Sequence, residues 1–514
     1  RFVLVALATL ALLFAGTTLA QTRLIVGGTA EASGLDPRRV NDVPSFQRIY
    51  TMFETLLVWE KDLSYRPRLA TEWSFSEDGS AITFKLREGV KFHHGTEFTS
   101  ADVKYTVDWM TNPDNPVLNR QLWNSLARVE TPDPYTAIVH LDPVNVWALN
   151  ALARMPIVPA DIGDLESFPN EPSGTGPFQF VEWVRDDRLV VSRFEDYWDP
   201  ERGNVDEVVI RTIPEDAPRL LAFEAGEVDL YHGQVVPLEV NRLEAETDWV
   251  TRITGLGWTY LGFNTRLPEL ADARVRQAFY HLLPSEAIVQ RVYNGIGTVS
   301  VGPISQDSIY FSPDVPTYPY DPERARELLV EAGYTEGSDG FMRDADGNVL
   351  TLQALPSNGR SLKDREIAEA LQEFLRQVGI DVELDIFEWA TTFQLMRGAT
   401  LDYDLNSFTW FTTTADADYT MYSNYVSTEV PPSSWNRWRY ANPQVDEWLK
   451  AARASLDPAE RAELYGQVQD QLAIDLPAIP LYGSFEVAVL SADVTGFVAH
   501  PIQYLLDLFP VDKR

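Results

Sequence analysis

Between residues 321 and 478 one pattern of helix start and stop signals recurs three times, and it commits the chain to a fold in which helices are interleaved with strands. Asp321-Pro322 supplies an N-cap and a first-turn proline, Ala325, Leu328, Leu329 and Ala332 make an apolar stripe, and Gly333 ends the helix. Ser361 with Asp364 forms a capping box ahead of Ile367, Leu371, Phe374, Leu375 and Val378, with Gly379 as the stop. The alternating strand Val382, Leu384, Ile386 follows at once, which makes a helix-to-strand unit of an α/β lobe. Asp457-Pro458 with Glu460 opens the third helix, carrying Leu464, Val468 and Leu472, with Pro477 beyond its end. Ala81–Arg87 alternates with Ile82, Phe84 and Leu86 on one face and is entered through the turn Glu77-Asp78-Gly79. Asp346-Gly347 reads as a hairpin turn. Strand and helix signals mix along the whole chain, so the expected class is α/β or α+β lobes.

The 514 residues, 45% hydrophobic, can bury a large core and exceed a single small domain. A net charge of −34 repels phosphate backbones, so nucleic acid is not an expected partner. The sequence has no cysteine, which excludes disulfides, thiolate metal sites and a lipid-modified cysteine from it. Phe2–Ala20 is apolar and uncharged and ends in small residues, with Thr18 and Ala20 placed for a cut before Gln21. It reads as a signal peptide over residues 1–20, the alternative being a membrane anchor, and it implies a periplasmic protein.

Signatures of catalysis are lacking: there is no HExxH, P-loop, GxSxG elbow or zinc-type spacing. Gly255-Leu256-Gly257 and Gly295-Ile296-Gly297 lack the third glycine of a dinucleotide fingerprint and read as turns. Adjacent His93 and His94 point to opposite faces on a strand and cannot share a metal. No cofactor and no metal site is expected. What stands out is aromatic content, with 14 tryptophans and 21 tyrosines. The segment Thr409–Tyr425 gathers Trp410, Phe411, Tyr419, Tyr422 and Tyr425 around Thr412, Thr413, Thr414, Asp416 and Asp418 without periodicity. An irregular polar and aromatic stretch in a periodic chain is where a binding site is expected.

The run Leu69–Val107 resembles the signature region of the bacterial extracellular solute-binding proteins of family 5, the peptide, nickel and opine class that serves ABC importers. Matches follow in the family's order: GTGPF at Gly174–Phe178, Tyr197-Trp198, Val205–Asp216, Phe223–Leu230 and GFNT at Gly262–Thr265. Arg274–Leu283, Tyr320–Tyr334, Tyr440–Leu449, Leu456–Tyr465 and PAIPLY at Pro477–Tyr482 complete the series. The resemblance implies a bilobed periplasmic-binding-protein fold, class II-like and of cluster C, with an extra inserted domain. It places lobe I at 21–58, 178–265 and 482–514, the insertion at 59–177 and lobe II at 266–481. The lobes would close on a small-molecule solute and the closed form would dock on membrane permease subunits, the protein acting as a monomer and not as an enzyme.

In dipeptide- and oligopeptide-binding relatives, an aspartate after a GW-like motif pairs with the peptide amine; here that position falls on Thr413. The stretch Trp410–Tyr419 is more similar to the glutathione-binding members, and Asn358-Gly359-Arg360 matches a segment that presents an arginine to a ligand carboxylate. The implied ligand is a dipeptide, oligopeptide or glutathione, with an oligosaccharide, then a nickel chelate or opine, as alternatives. The expected ligand residues are Arg360 for a carboxylate, Asp418 with Asp416 for an amine or hydroxyl, Trp410 and Tyr419 as walls, and Asn358 and Thr413 beside them in the sequence. Trp258 and Tyr260, alternate residues on the strand entering GFNT, share a face that would also meet the cleft.

Overall fold

The computed structural model describes residues 21–514 apart from 119, 146, 202, 234, 236, 248–249, 357–362, 388, 397, 399–402, 413, 415 and 433. The expected signal peptide and the capping residue Ser361 lie outside the described residues. The three helix signals become helices at Pro322–Glu331, Asp364–Arg376 and Pro458–Asp475. Asp321 and Asp457 cap two of them through the amides of Arg324 and Ala459. The stop glycines Gly333 and Gly379 take the left-handed φ of 102° and 80° that a side chain would resist. Asp457→Ala should cost about 1 kcal/mol in a denaturant titration, because it strands one amide of the first turn.

Ten strands form the central sheet: β1 (Arg23–Gly28), β2 (Phe178–Val184), β3 (Arg188–Arg193), β4 (Glu207–Thr212), β5 (Leu230–Gly233), β6 (Val250–Phe263), β7 (Thr351–Pro356), β8 (Asp381–Leu384), β9 (Leu405–Phe411) and β10 (Ala478–Leu490). Their spatial order is β8-β7-β9-β6-β10-β5-β1-β4-β3-β2. The long strands β6 and β10 run antiparallel through the middle and belong to both halves. On one side lie β7, β8 and β9, mutually parallel, and on the other lies the parallel set β5, β1 and β4. A separate antiparallel sheet of four strands, Ala70–Phe75, Ala81–Leu86, Leu126–Asp133 and Thr136–Leu141, carries the helix Ser100–Thr111. Its apolar residues Ile82, Phe84, Val103 and Val139 are continuous with Leu24, Val26 and Val208 of the main sheet, so this unit shares a core with the first half. The second half has its own core, around Phe263, Phe279, Leu329, Ile367 and Leu405.

Two readings change. Gly255-Leu256-Gly257 is not a turn but the middle of β6, where the pairing with β10 jumps from Thr254↔Phe485 to Trp258↔Gly483. Three residues of β6 there face Ser484 alone, a bulge that the Ser484 hydroxyl seals by accepting the Gly257 amide at 2.8 Å. A Cβ on either Gly255 or Gly257 would stand 2.6 Å from that hydroxyl, which is why both are glycine. The stretch Thr409–Tyr425 is not irregular: β9 ends at Phe411 and a helix, α1, runs Ala417–Tyr425. Seven of its nine residues are buried, so it has no solvent side and leaves no amphipathic period for a sequence reading to find. Gly295 and Gly297 do form a turn, at φ of 76° and 101°.

Candidate functional site

Because β7 and β9 are parallel, their carboxyl ends open on one edge, and the parallel strands β1 and β5 end on the facing half. Ligands of open α/β sheets sit outside such carboxyl ends. A pocket occurs at that place, lined by Gly233 and Val235 at the end of β5, Thr409 and Phe411 at the end of β9, Tyr293 from the second half, and Gln503. Its remaining walls, Tyr482, Ser484, Phe485 and Glu486, come from β10 at the bulge. Thus both halves and the strand that joins them contribute. Tyr293 and Tyr482 stack with centroids 3.8 Å apart, forming one flat aromatic wall. A second pocket lies at the same strand end, rich in hydroxyls from Ser305, Ser308, Thr412, Thr414 and Thr420, with Asp416 among its lining residues.

The opposite face of β6 and β9 builds an aromatic nest. Trp258 pairs across the ladder with Trp410 and packs on Tyr260 at 4.8 Å, and Trp438 closes on Tyr260 at 5.3 Å. Arg437, wholly buried, donates to the Tyr260 hydroxyl at 2.7 Å, and its guanidinium lies 5.3 Å from Trp410 and 5.5 Å from Trp435. The ring quadrupoles thereby offset part of the cost of burying its charge.

The two acidic candidates are already engaged. Asp416 caps α1 through the Asp418 amide and pairs with Arg461 at 2.7 Å. Asp418 receives Arg453 in a fork at 2.6 and 3.0 Å. These arginines come from α2 (Pro443–Ala454), which packs on α1, and from α3 (Pro458–Asp475), which packs on α2. Burial works against the charge of Arg461 and Arg453, but Asp416 and Asp418 more than offset it and raise both pKa values. Asp418, 1% exposed, is a structural anchor in this arrangement and offers no open carboxylate to an amine.

A family model described as the middle region of the bacterial extracellular solute-binding proteins, family 5, matches residues 64–432. The chain belongs to family 5. This family member is 28% identical over 512 residues to the glutathione-binding protein GsiB of Escherichia coli K12, covering 97% of this chain and 96% of that one. It superposes on the oligopeptide-binding protein AppA of Bacillus subtilis, solved with a nonapeptide, at a TM-score of 0.79 and 25% identity, over 96% and 99% of the two chains. The periplasmic binding protein DppA of Helicobacter pylori, solved with the peptide STSA, gives 0.76 and 26%, over 95% and 97%. The bilobed fold implied by the motifs is therefore the fold of this family member.

Of the expected ligand residues, Trp410, Tyr419, Trp258 and Tyr260 come together, Trp410 stacking on Tyr419 at 5.5 Å. They are buried in the nest, and Trp258 and Tyr260 do not meet the pocket beside β10, whose floor is made by residues of the other strand face. Trp258 and Tyr260 do share a face, and it is the one turned away from Thr409 and Phe411, which line that pocket. Asn358, Arg360 and Thr413 lie outside the described residues. Sequence reasoning missed Arg437 and Glu486. The first was signalled by the run Trp435–Tyr440, dense in aromatics and arginine, and the second by one acid in the otherwise apolar strand Phe485–Leu490.

Proposed function

We propose that this protein is the solute-capturing component of an ABC importer, periplasmic and monomeric, that holds a short peptide or a peptide-like solute such as glutathione between two closing halves and yields it unchanged to a permease. The observation that carries this reading is the pocket at the carboxyl ends of β5 and β9, walled from both halves and from the strand that joins them. A guest there touches both halves only when they are together, so it stabilises the closed form by its preference for it. The relatives named for glutathione and peptides support the ligand class. No helix among the described residues is long and apolar enough to cross a membrane.

Arg360 and Asn358 follow in sequence after β7, the strand next to β9, and are proposed to take the guest's carboxylate. Thr413 comes two residues after the end of β9 in the sequence and is proposed to add a hydroxyl contact. A charge-assisted bidentate bond is worth about 1.5–3 kcal/mol. Arg360→Ala should therefore weaken glutathione or dipeptide binding roughly tenfold to 150-fold by calorimetry. Amidated peptides should bind the parent and the variant alike. Equal affinity of both proteins for the free acid would remove Arg360 from the site, and failure of every peptide to bind or to compact the scattering profile would remove the ligand class.

A further inference from the structure

We propose that Glu486 is a specificity-determining residue of the interlobe pocket, the group that accepts the ammonium of the guest. The inference rests on the peptide-capture reading and assigns to β10 the amine recognition that no open aspartate of the Thr409–Tyr425 segment provides.

Among the described residues lining the pocket beside the bulge, Glu486 alone carries a carboxyl, and none is a lysine or an arginine. The residue is 2% exposed, and its Oε2 has no hydrogen-bond partner. A buried acceptor left unsatisfied is costly, and a buried carboxylate without a counter-charge far more so. The neighbours cannot supply that charge. His232 on β5 stands 4.0 Å away, and burial pushes its imidazole down to about 4, with His500 adding a smaller push in the same direction. Tyr482 on β10 is held protonated by burial, with Tyr293 and Glu486 adding to it. From β6, the facing residues are the uncharged Ile253 and Gly255.

In the empty protein burial keeps the Glu486 carboxyl protonated well above the ordinary glutamate range. An incoming ammonium provides the missing positive charge, so the carboxyl ionises as the guest binds. The proton leaves to solvent, the carboxylate accepts an N–H of the ammonium, and charge balances within the pocket. The Tyr293–Tyr482 wall and Phe411 then flank the chain of the guest beyond its amine.

Two linked results follow. Binding of a free-amine peptide at a pH between the ordinary glutamate value and the raised one should release a proton, seen as a buffer-dependent calorimetric enthalpy, whereas an N-acetylated peptide should release none. Without guest, the unfolded chain ionises Glu486 above its ordinary pKa while the folded one keeps it protonated, so this group costs stability as pH rises from there toward the folded value. Glu486→Gln should therefore melt no lower than the parent at pH 8 without guest.

The test titrates glutathione, a dipeptide and its N-acetyl form into the parent, Glu486→Gln and His232→Asn. Glu486→Gln should bind the free-amine ligands 10- to 100-fold more weakly, leave the N-acetyl peptide unchanged and lose the proton release. His232→Asn should keep the preference for a free amine. If Glu486→Gln binds the dipeptide like the parent, the assignment to Glu486 is wrong while peptide capture stands. If both variants lose stability together without changing amine preference, Glu486 is only the partner of His232 and the proposal fails. If the parent binds none of these ligands, the inference falls together with the reading beneath it.

Discussion

Asp416→Ala should lower the stability of the protein by about 3–5 kcal/mol, because it strands a guanidinium where water cannot reach. Asp416 and Arg461 are both buried and 2.7 Å apart. Arg461 also donates to the Tyr310 hydroxyl at 2.6 Å and to the Ala452 carbonyl at 3.1 Å, and those neutral acceptors cannot replace the lost charge. The same change removes the cap of α1, adding about 1 kcal/mol. Asp416→Ala combined with Arg461→Met should recover most of the loss, since a buried pair exchanged for apolar groups is often neutral. Urea titrations of the single and double variants check this; a double variant as unstable as the single one would show that the charge was not the cause.

Gly257→Val should weaken guest binding roughly 10- to 100-fold while the protein still folds. The new side chain would start 2.6 Å from the Ser484 hydroxyl and 2.8 Å from the Phe411 ring, both in the pocket wall. Overpacking of this kind costs about 1–3 kcal/mol. Both neighbours line the pocket, so the cost falls on the shape of the site, and 1.4 kcal/mol is a factor of ten in affinity. Titration calorimetry and ligand-dependent scattering of the variant would check it; unchanged affinity with the closed profile intact would show that the bulge bends without resistance.

The sequence was legible where burial is one-sided. Helices Pro322–Glu331 and Pro458–Asp475 announce themselves through Asp-Pro starts, and the strand Ala81–Leu86 through its alternation, because each has a wet face and a dry one. The site resisted reading for the opposite reason. Helix α1 is buried on nearly every side, β6 carries rings and glycines in a pattern set by a bulge with a strand more than 220 residues away, and neither leaves a local period. The sequence marks Asp418 as an amine or hydroxyl ligand, but the carboxylate is taken by Arg453, 35 positions distant, which no spacing rule connects to it. Glu486 needed the reverse inference, from its described neighbours His232, Ile253 and Gly255 offering it no cation, and only the three-dimensional neighbourhood supplies that.

The paired strands β6 and β10 carry one more implication. Two side-by-side threads resist torsion, since twisting one half against the other would tear the ladders Val250–Thr254 and Trp258–Gly262 from their partners. Flexing across the three-against-one step leaves both ladders whole. Motion is thereby channelled into a single degree of freedom, like a door hung on two pins, and a fluorophore pair mounted far from that axis would turn the molecule into a ratiometric reporter of whatever it captures.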